Sequence, residues 1–230
     1  HLSPHDLGTL ATQSGGNPLF LAELVASAAA AGGVEELPDS VEALIMARID
    51  RLEPPDRALL RRLSVFGQAC DHDLVAAALG DEAPPLDSPT WGRLAEFVVV
   101  DGPTLRFEHG LVRDGAYAST PFRLRESLHA RIGEALESRA ESTEAVAALL
   151  SLHYFHANRY DEAWRYSRSA ALQAKAVHAN VEAVEFYERA LTSAQLCDCV
   201  AAPELESAYE DAGDLYSRLG KYSKADSAYR

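Results

Sequence analysis

The sequence predicts a mainly α-helical fold, interrupted by one β-hairpin and continued by α-helical repeats. Three observations predict it. Apolar residues recur at helical spacing along most of the chain, as in Val41, Leu44, Ile45, Ile49 and Leu52. A single stretch, Val98 to Phe107, sets β-branched residues around an Asp101-Gly102-Pro103 turn. Beyond Glu144, small residues stand twelve positions apart in three pairs: Ser151 and Ala163, Ala171 and Ala183, Gly213 and Ala225.

Each element has local signals. Ser3-Pro4-His5-Asp6 is a helix start, with a serine cap, proline at the first helical position and an acid three residues after the cap. That helix runs to about Gln13 and stops at Gly15-Gly16. Asn17 caps a second helix, with Pro18 in its first position and Leu19, Phe20, Leu24 and Val25 as its buried side; Gly32-Gly33 ends it. Leu37 to Ser40 leads into a third. Pro54 and Pro55 punctuate, and Asp56 caps a helix carrying Leu59, Leu60, Leu63 and Phe66. Asp71 or Asp73 opens a short helix through Leu79, and Ser88 caps one through Trp91, Leu94 and Phe97. With the hairpin that follows, three short helices and a two-stranded wing make the winged-helix layout.

The stretch Arg106 to Tyr117 passes from strand to helix, with Leu111, Val112, Ala116 and Tyr117 as the apolar face of the helix. His109 sits at the junction, and Arg113 lies one turn later on the same face. Phe122 to Arg139 is one long amphipathic helix. In the repeats, the small residues let two antiparallel helices approach closely, and Tyr154, Tyr160, Tyr187, Tyr216, Tyr222 and Tyr229 fill the space beside each crossing. That pattern marks tetratricopeptide (TPR)-like repeats, helix pairs of about 34 residues. Ala163 to Ala183 spans only twenty residues, so the helix from Tyr160 to about His178 serves two successive pairs. The chain starts at His1 rather than Met and stops within a helical pattern at Arg230, so a longer parent with further repeats is expected.

Composition excludes several classes. Of 230 residues, 47% are hydrophobic and 24% charged, as in a soluble globular protein. The longest apolar run, Leu24 to Ala31, is too short to span a bilayer, and no signal peptide opens the chain. A formal charge of −14 argues against wrapping nucleic acid, and the helix from Pro89 to Phe97 offers only Arg93 to a phosphate backbone. Cys70, Cys197 and Cys199 form an odd set that suits a reducing cytosol, with the Cys197-Asp198-Cys199 spacing incidental. His153 and His156, one turn apart, lack further metal ligands at an obvious spacing; one is expected to be buried and one solvated. Arg123, Arg125 and Arg131, with Arg113, form the one basic cluster, read either as salt-bridged to Glu126 and Glu134 or as a contact for an acidic neighbour.

Four runs in order, SGGNPLFLAEL, LPDSVEALIMARIDRL, RFEHGLVRDGAY and LHARIGEALE, resemble the STAND-class ATPases of bacterial signalling. Those proteins stand behind class III adenylyl cyclase domains or ahead of LuxR-type DNA-binding domains. The resemblance implies that residues 1–34 end an ATPase helical lid, 35–118 form a winged helix, 119–143 a connecting helix and 144–230 the start of TPR-like repeats. It also implies a cytoplasmic signalling protein whose ATP or ADP sits in a preceding domain. Here there is no G-x-x-x-x-G-K-[ST] and no apolar strand ending in paired acids, so no catalysis and no nucleotide binding are expected of this chain alone.

Within the resemblance, Gly16-Asn17-Pro18 is similar to a glycine-x-proline motif whose proline packs near the nucleotide base. Pro18 is equally a good first helical residue. EHGLVRDGA resembles the helix led by Met-His-Asp in related proteins, where the histidine reads the β-phosphate of ADP. Glu108 and Gly110 here replace the methionine and aspartate. Gly16, Asn17, Pro18, His109 and Arg113 are therefore the cofactor-binding candidates, with a structural role for His109 the alternative. The expected function is a regulatory segment that couples nucleotide state to an output domain. Its repeats would bind a protein or small-molecule effector, the ATPase core or another copy of the chain. The competing expectation is an interaction scaffold with a purely structural winged helix.

Overall fold

The computed structural model describes residues 4–14, 16, 18, 21–22, 24–25, 28, 41–198 and 200–230. The fold is mainly helical with one small sheet, as the periodicities predict. It divides into two compact units, one of residues 1–72 and 82–120, the other of residues 73–81 and 121–230.

In the first unit, helix α1 (Pro4–Gln13) is followed by helical positions at Pro18, Leu21, Ala22, Leu24, Val25 and Ala28. The expected serine cap at Ser3, the Asn17 cap and the Leu37 to Ser40 lead lie outside the described residues. Helix α2 (Val41–Asp50) buries Leu44, Ile45 and Ile49, as its spacing requires. Helix α3 (Pro54–Ser64) starts earlier than expected, with Glu53 at the cap position and proline in the first turn. Asp56 is thus inside the helix rather than its cap, and its buried carboxylate is used elsewhere.

Strands β1 (Ala69–Asp71), β2 (Val98–Asp101) and β3 (Thr104–Phe107) form an antiparallel sheet in the order β1-β3-β2. The two-residue turn carries Gly102 at φ +58°, a left-handed value that glycine adopts freely, followed by Pro103. Its register pairs Val98 with Phe107 and Asp101 with Thr104. The added strand, with Cys70 opposite Leu105, has no alternating run long enough to announce it in sequence. Gln68 extends its pairing: Phe107 N–H donates to the Gln68 carbonyl at 2.9 Å, and Gln68 Nε2 donates to the Phe107 carbonyl at 2.8 Å. Helix α4 (His72–Leu79) follows β1; residues 73–81 belong to the second unit. Ser88 Oγ accepts from Thr90 N–H at 3.3 Å and caps α5 (Pro89–Arg93), which ends a turn earlier than expected. Helix α6 (Gly110–Ala118) packs on α2 at Gly115, where a β-carbon would lie 3.3 Å from Ile45 Cγ2.

The second unit is a run of helices: α7 (Phe122–Arg139), α8 (Ala147–His156), α9 (Tyr160–Ala176), α10 (Asn180–Cys197), α11 (Ala202–Arg218) and α12 (Tyr222–Tyr229). Each packs on the next. Three of the turns are the same object. Asn158, His178 and Gly220 take positive φ values of 56°, 62° and 71°. The amide after each one reaches back five residues: Arg159 to Tyr154 O at 2.9 Å, Ala179 to Ala174 O at 2.9 Å and Lys221 to Tyr216 O at 2.8 Å. This Schellman closure satisfies carbonyls that the helix end leaves open. Asp198 is a fourth left-handed residue, so the left-handed positions stand 20, 20 and 22 residues apart. A helix pair therefore occupies about forty residues, not about 34.

The small-residue pairs fall symmetrically about those turns. Ser151, Ala163, Ala171 and Ala183 are wholly buried, and Gly213 and Ala225 are buried as well. One further small residue matters equally: Gly133 of α7, where a β-carbon would sit 3.0 Å from the ring of fully buried Tyr154. Gly133→Ala is expected to destabilise the protein, because overpacking of about 1–3 kcal/mol outweighs a helix-propensity gain of about 1 kcal/mol. Gly92→Ala, with open space at its β-position, should be tolerated. Denaturant unfolding of the two variants checks both.

Candidate functional site

The junction of β3 and α6 carries the first candidate. Leu105 and Phe107 point into the core and Arg106 and Glu108 outward, so the strand delivers the next residue to the edge of the unit. Glu108 N–H donates to the Phe97 carbonyl at 2.9 Å and fixes the strand end. His109 is extended, with φ −136° and ψ 142°, and takes the N-cap position of α6. Its carbonyl accepts from Val112 N–H at 3.1 Å and Arg113 N–H at 3.3 Å, while its half-exposed imidazole makes no capping bond. The backbone of His109 is committed to the helix start and the ring is not.

Arg113 is more firmly engaged. Its Nε donates at 3.1 Å to the carbonyl of Ser64, the last residue of α3, and its Nη1 donates to Asp114 at 2.7 Å. The guanidinium also lies 5.3 Å from the Tyr117 ring centroid. A cation at a helix C-terminus meets both an open carbonyl and the negative end of the dipole. Gly16 has φ +82° and is exposed, and Pro18 is exposed and helical. Asn17 lies outside the described residues. Of the five candidates, His109 and Arg113 are joined within one helical turn; Gly16 and Pro18 contribute local geometry alone.

The only basic residue expected on α5 is also spent internally. Arg93 Nε and Nη2 donate to the two oxygens of Asp56 at 2.6 and 2.7 Å, a bidentate pair with a carboxylate that is 4% exposed. Arg93 holds the Asp56 carboxyl below its usual range, chiefly through the hydrogen bonds, against the opposing effect of burial. The Glu126 and Glu134 carboxylates, expected partners of Arg123, Arg125 and Arg131, are turned to the first Schellman turn. There they accept from Asn158 Nδ2 at 3.0 Å and Arg159 Nη1 at 3.1 Å.

Sequence reasoning missed a set of tyrosine–carboxylate bonds. Glu137 accepts from both the Tyr154 and Tyr166 hydroxyls. Asp211 accepts from Tyr187 at 2.7 Å and from Lys175, and Glu188 accepts from Tyr216 at 2.6 Å and Lys224 at 2.7 Å. The Tyr154 and Tyr166 hydroxyls lower the Glu137 pKa; burial and then the Glu137 bond push Tyr166 up to about 12. Tyr154, Tyr187 and Tyr216 were legible as crossing-fillers and are buried, whereas Tyr222, expected beside them, is exposed and Tyr166 carried no such signal; the acids stand 17 to 29 residues away with no fixed spacing.

His153 is buried and His156 exposed, as expected, but a third histidine, His129, joins them. Among the described residues no group of three or more His, Cys, Asp or Glu side chains has the geometry to hold a metal ion. Cys70 is a free thiol that burial pushes up to about 12, whereas Cys197 is disulfide-bonded, which corrects the expectation that it is incidental. No helix among the described residues is long and apolar enough to cross a membrane. Comparison with protein-family models, curated proteins and solved structures finds no match to this chain.

Two outcomes follow from this geometry. The Asp56 pKa is depressed, so its bond to Arg93 contributes stability above the ordinary aspartate value of about 3.9 and loses it as pH falls through the folded value. Arg93→Met should therefore destabilise the protein at neutral pH, with a difference from wild type that shrinks as the pH falls below about 3.9 in acid-unfolding curves. Tyr154→Phe removes one of the two hydroxyls on Glu137 and should cost about 1–2 kcal/mol at neutral pH, read by urea unfolding.

Proposed function

We propose that this chain is a regulatory segment of a multidomain signal-transduction ATPase. Its first unit faces a nucleotide held by another domain, and its helical run receives a protein or small-molecule effector. In this reading helices α3 and α5 and the β2–β3 hairpin belong to a winged helix, and α8 to α12 form TPR-like repeats of long helices. The chain supplies no phosphate cradle; ATP or ADP belongs to the parent, as does any output by cyclase or DNA-binding domain.

One observation carries the proposal: the half-exposed His109 ring at the start of α6, unused by the cap that its own backbone makes. An imidazole N–H beside a phosphate makes a charge-assisted hydrogen bond. A nucleotide that binds the arrangement with His109 engaged more tightly than the alternative would shift the population towards it. Arg113 acts in this scheme as the residue that anchors α6 rather than as a phosphate ligand. The helical run supports an effector role through exposed Leu172, Val177 and Val181 and a groove of about 420 Å³ lined by Trp164, Arg168 and Leu172.

The scaffold alternative is favoured by a specific observation, the capture of Arg93 and Arg113 in internal bonds. It treats the hairpin unit as structural and the helical run as the only working surface. Nucleotide dependence separates the two. In the parent protein, His109→Ala should weaken ADP binding about tenfold, the worth of one charge-assisted bond, and change basal output. Unchanged ADP affinity and output in isothermal titration and activity assays would leave the scaffold as the function.

A further inference from the structure

Independently of any nucleotide, the second unit holds three histidines at the contact between α7 and α8. His129 of α7 and His153 of α8 are each 3% exposed, and their Nδ1 atoms are 3.0 Å apart. Their ring centroids are 5.1 Å apart, and the His156 ring lies 4.9 Å from that of His129 at an interplanar angle of 31°. A bond between two Nδ1 atoms requires one ring to be protonated there and the other bare. The contact therefore holds one shared proton. A second can enter at a bare Nε2, which keeps that bond but buries a cation, so its uptake is favoured where the contact opens to water.

The charged groups around the cluster make that second proton costly. From α7 comes Arg125, one turn before His129, and from α10 comes Arg189, whose Nη1 donates to Ser151 Oγ of α8 at 2.8 Å. From α9, Ser167 bonds Ser151, and Tyr166 gives its hydroxyl to Glu137. Among the described acids of α7 and α10, Glu126 is bonded by Asn158, Glu134 by Arg159 and Glu137 by two tyrosines, and Glu185 acts on Arg189. Burial and then His156 push the His153 pKa down to about 4; burial, Arg189 and Arg125 lower that of His156.

We propose that the His129–His153 pair is a proton-sensitive latch: neutral, it holds α8 against α7 through one shared proton, and acid favours an opened contact in which both imidazoles reach water and take up protons. The latch closes fully above the ordinary histidine value of about 6.5, and each pH unit below it favours the open form by up to about tenfold per proton, until the depressed folded value is reached. The Glu137, Glu188 and Asp211 carboxyls of the same unit have lowered pKa values and hold through this window, so loosening would begin at the histidines.

Amide hydrogen exchange of the whole chain at about pH 7 and about pH 5, corrected for the intrinsic pH dependence of exchange, tests the latch. Amides of Phe122–Arg139 and Ala147–His156 should lose about tenfold or more protection at the lower pH, while those of Ala202–Arg218 keep theirs. His153→Gln, whose amide can bond His129 Nδ1 without titrating, should fold and reduce the difference, as should His129→Gln. Equal wild-type protection at the two pH values, or a loss of undiminished size in both variants, would overturn the proposal. If neither variant folds, imidazole nitrogen NMR of the wild type decides. A shared Nδ1 proton lost with a midpoint between about 4 and 6.5 supports the latch, and one that survives below about pH 4 refutes it.

Discussion

The second unit depends on how closely two antiparallel helices can cross beside a tight turn. At each of three turns a left-handed residue reverses the chain, and the small residue six positions to either side of the helix end sits at the crossing. Ser151 with Ala163 and Ala171 with Ala183 leave no accessible surface at all, so each crossing is closed to water and to larger side chains. The same logic appears between α7 and α8, where Gly133 gives its missing side-chain volume to Tyr154. Close packing of this kind is intolerant of an added methyl group because the surrounding side chains are already in contact.

The tyrosines that fill these crossings do more than occupy space. Tyr154, Tyr187 and Tyr216 each end in a hydroxyl that must find an acceptor once buried, and their acceptors are carboxylates on the next or the preceding helix. Apolar packing brings the helices together without preferring one axial position, whereas a hydroxyl aimed at one carboxylate sets the register. Lys175 and Lys224 then balance two of the three acids. The histidine contact sits in this framework as an exception, a polar pair closed by a single proton instead of by a charge.

In the first unit the corresponding anchor is α6. Its Gly115 lets α2 approach, its Arg113 closes the end of α3, and its N-cap, His109, joins it to strand β3. The cations of this unit hold the fold together: Arg93 pairs with a buried acid and Arg113 with a helix end.

Helix content, the hairpin with its Gly102 turn, the Phe122–Arg139 helix and the three small-residue pairs were all legible in the sequence, because each rests on spacing within one segment. Strand β1 was not legible: three residues carry no periodicity, and only the free edge of β3 makes them a strand. The role of Asp56 was misread for a related reason. Its position after two prolines suits a cap, but the partner that decides its role, Arg93, lies 37 residues away. The forty-residue spacing of the helix pairs was visible only as an irregularity, since a 34-residue period was sought.

By itself the sequence determined which segments are helical, where they stop, and which residues are small enough to lie between them, since propensity, capping and periodicity act over a few neighbours. Tertiary structure alone decided which acid receives each tyrosine, that Arg113 closes a helix end, and that His129 meets His153. Those partners are 17 to 49 residues apart, and only the packing of one helix on another selects them.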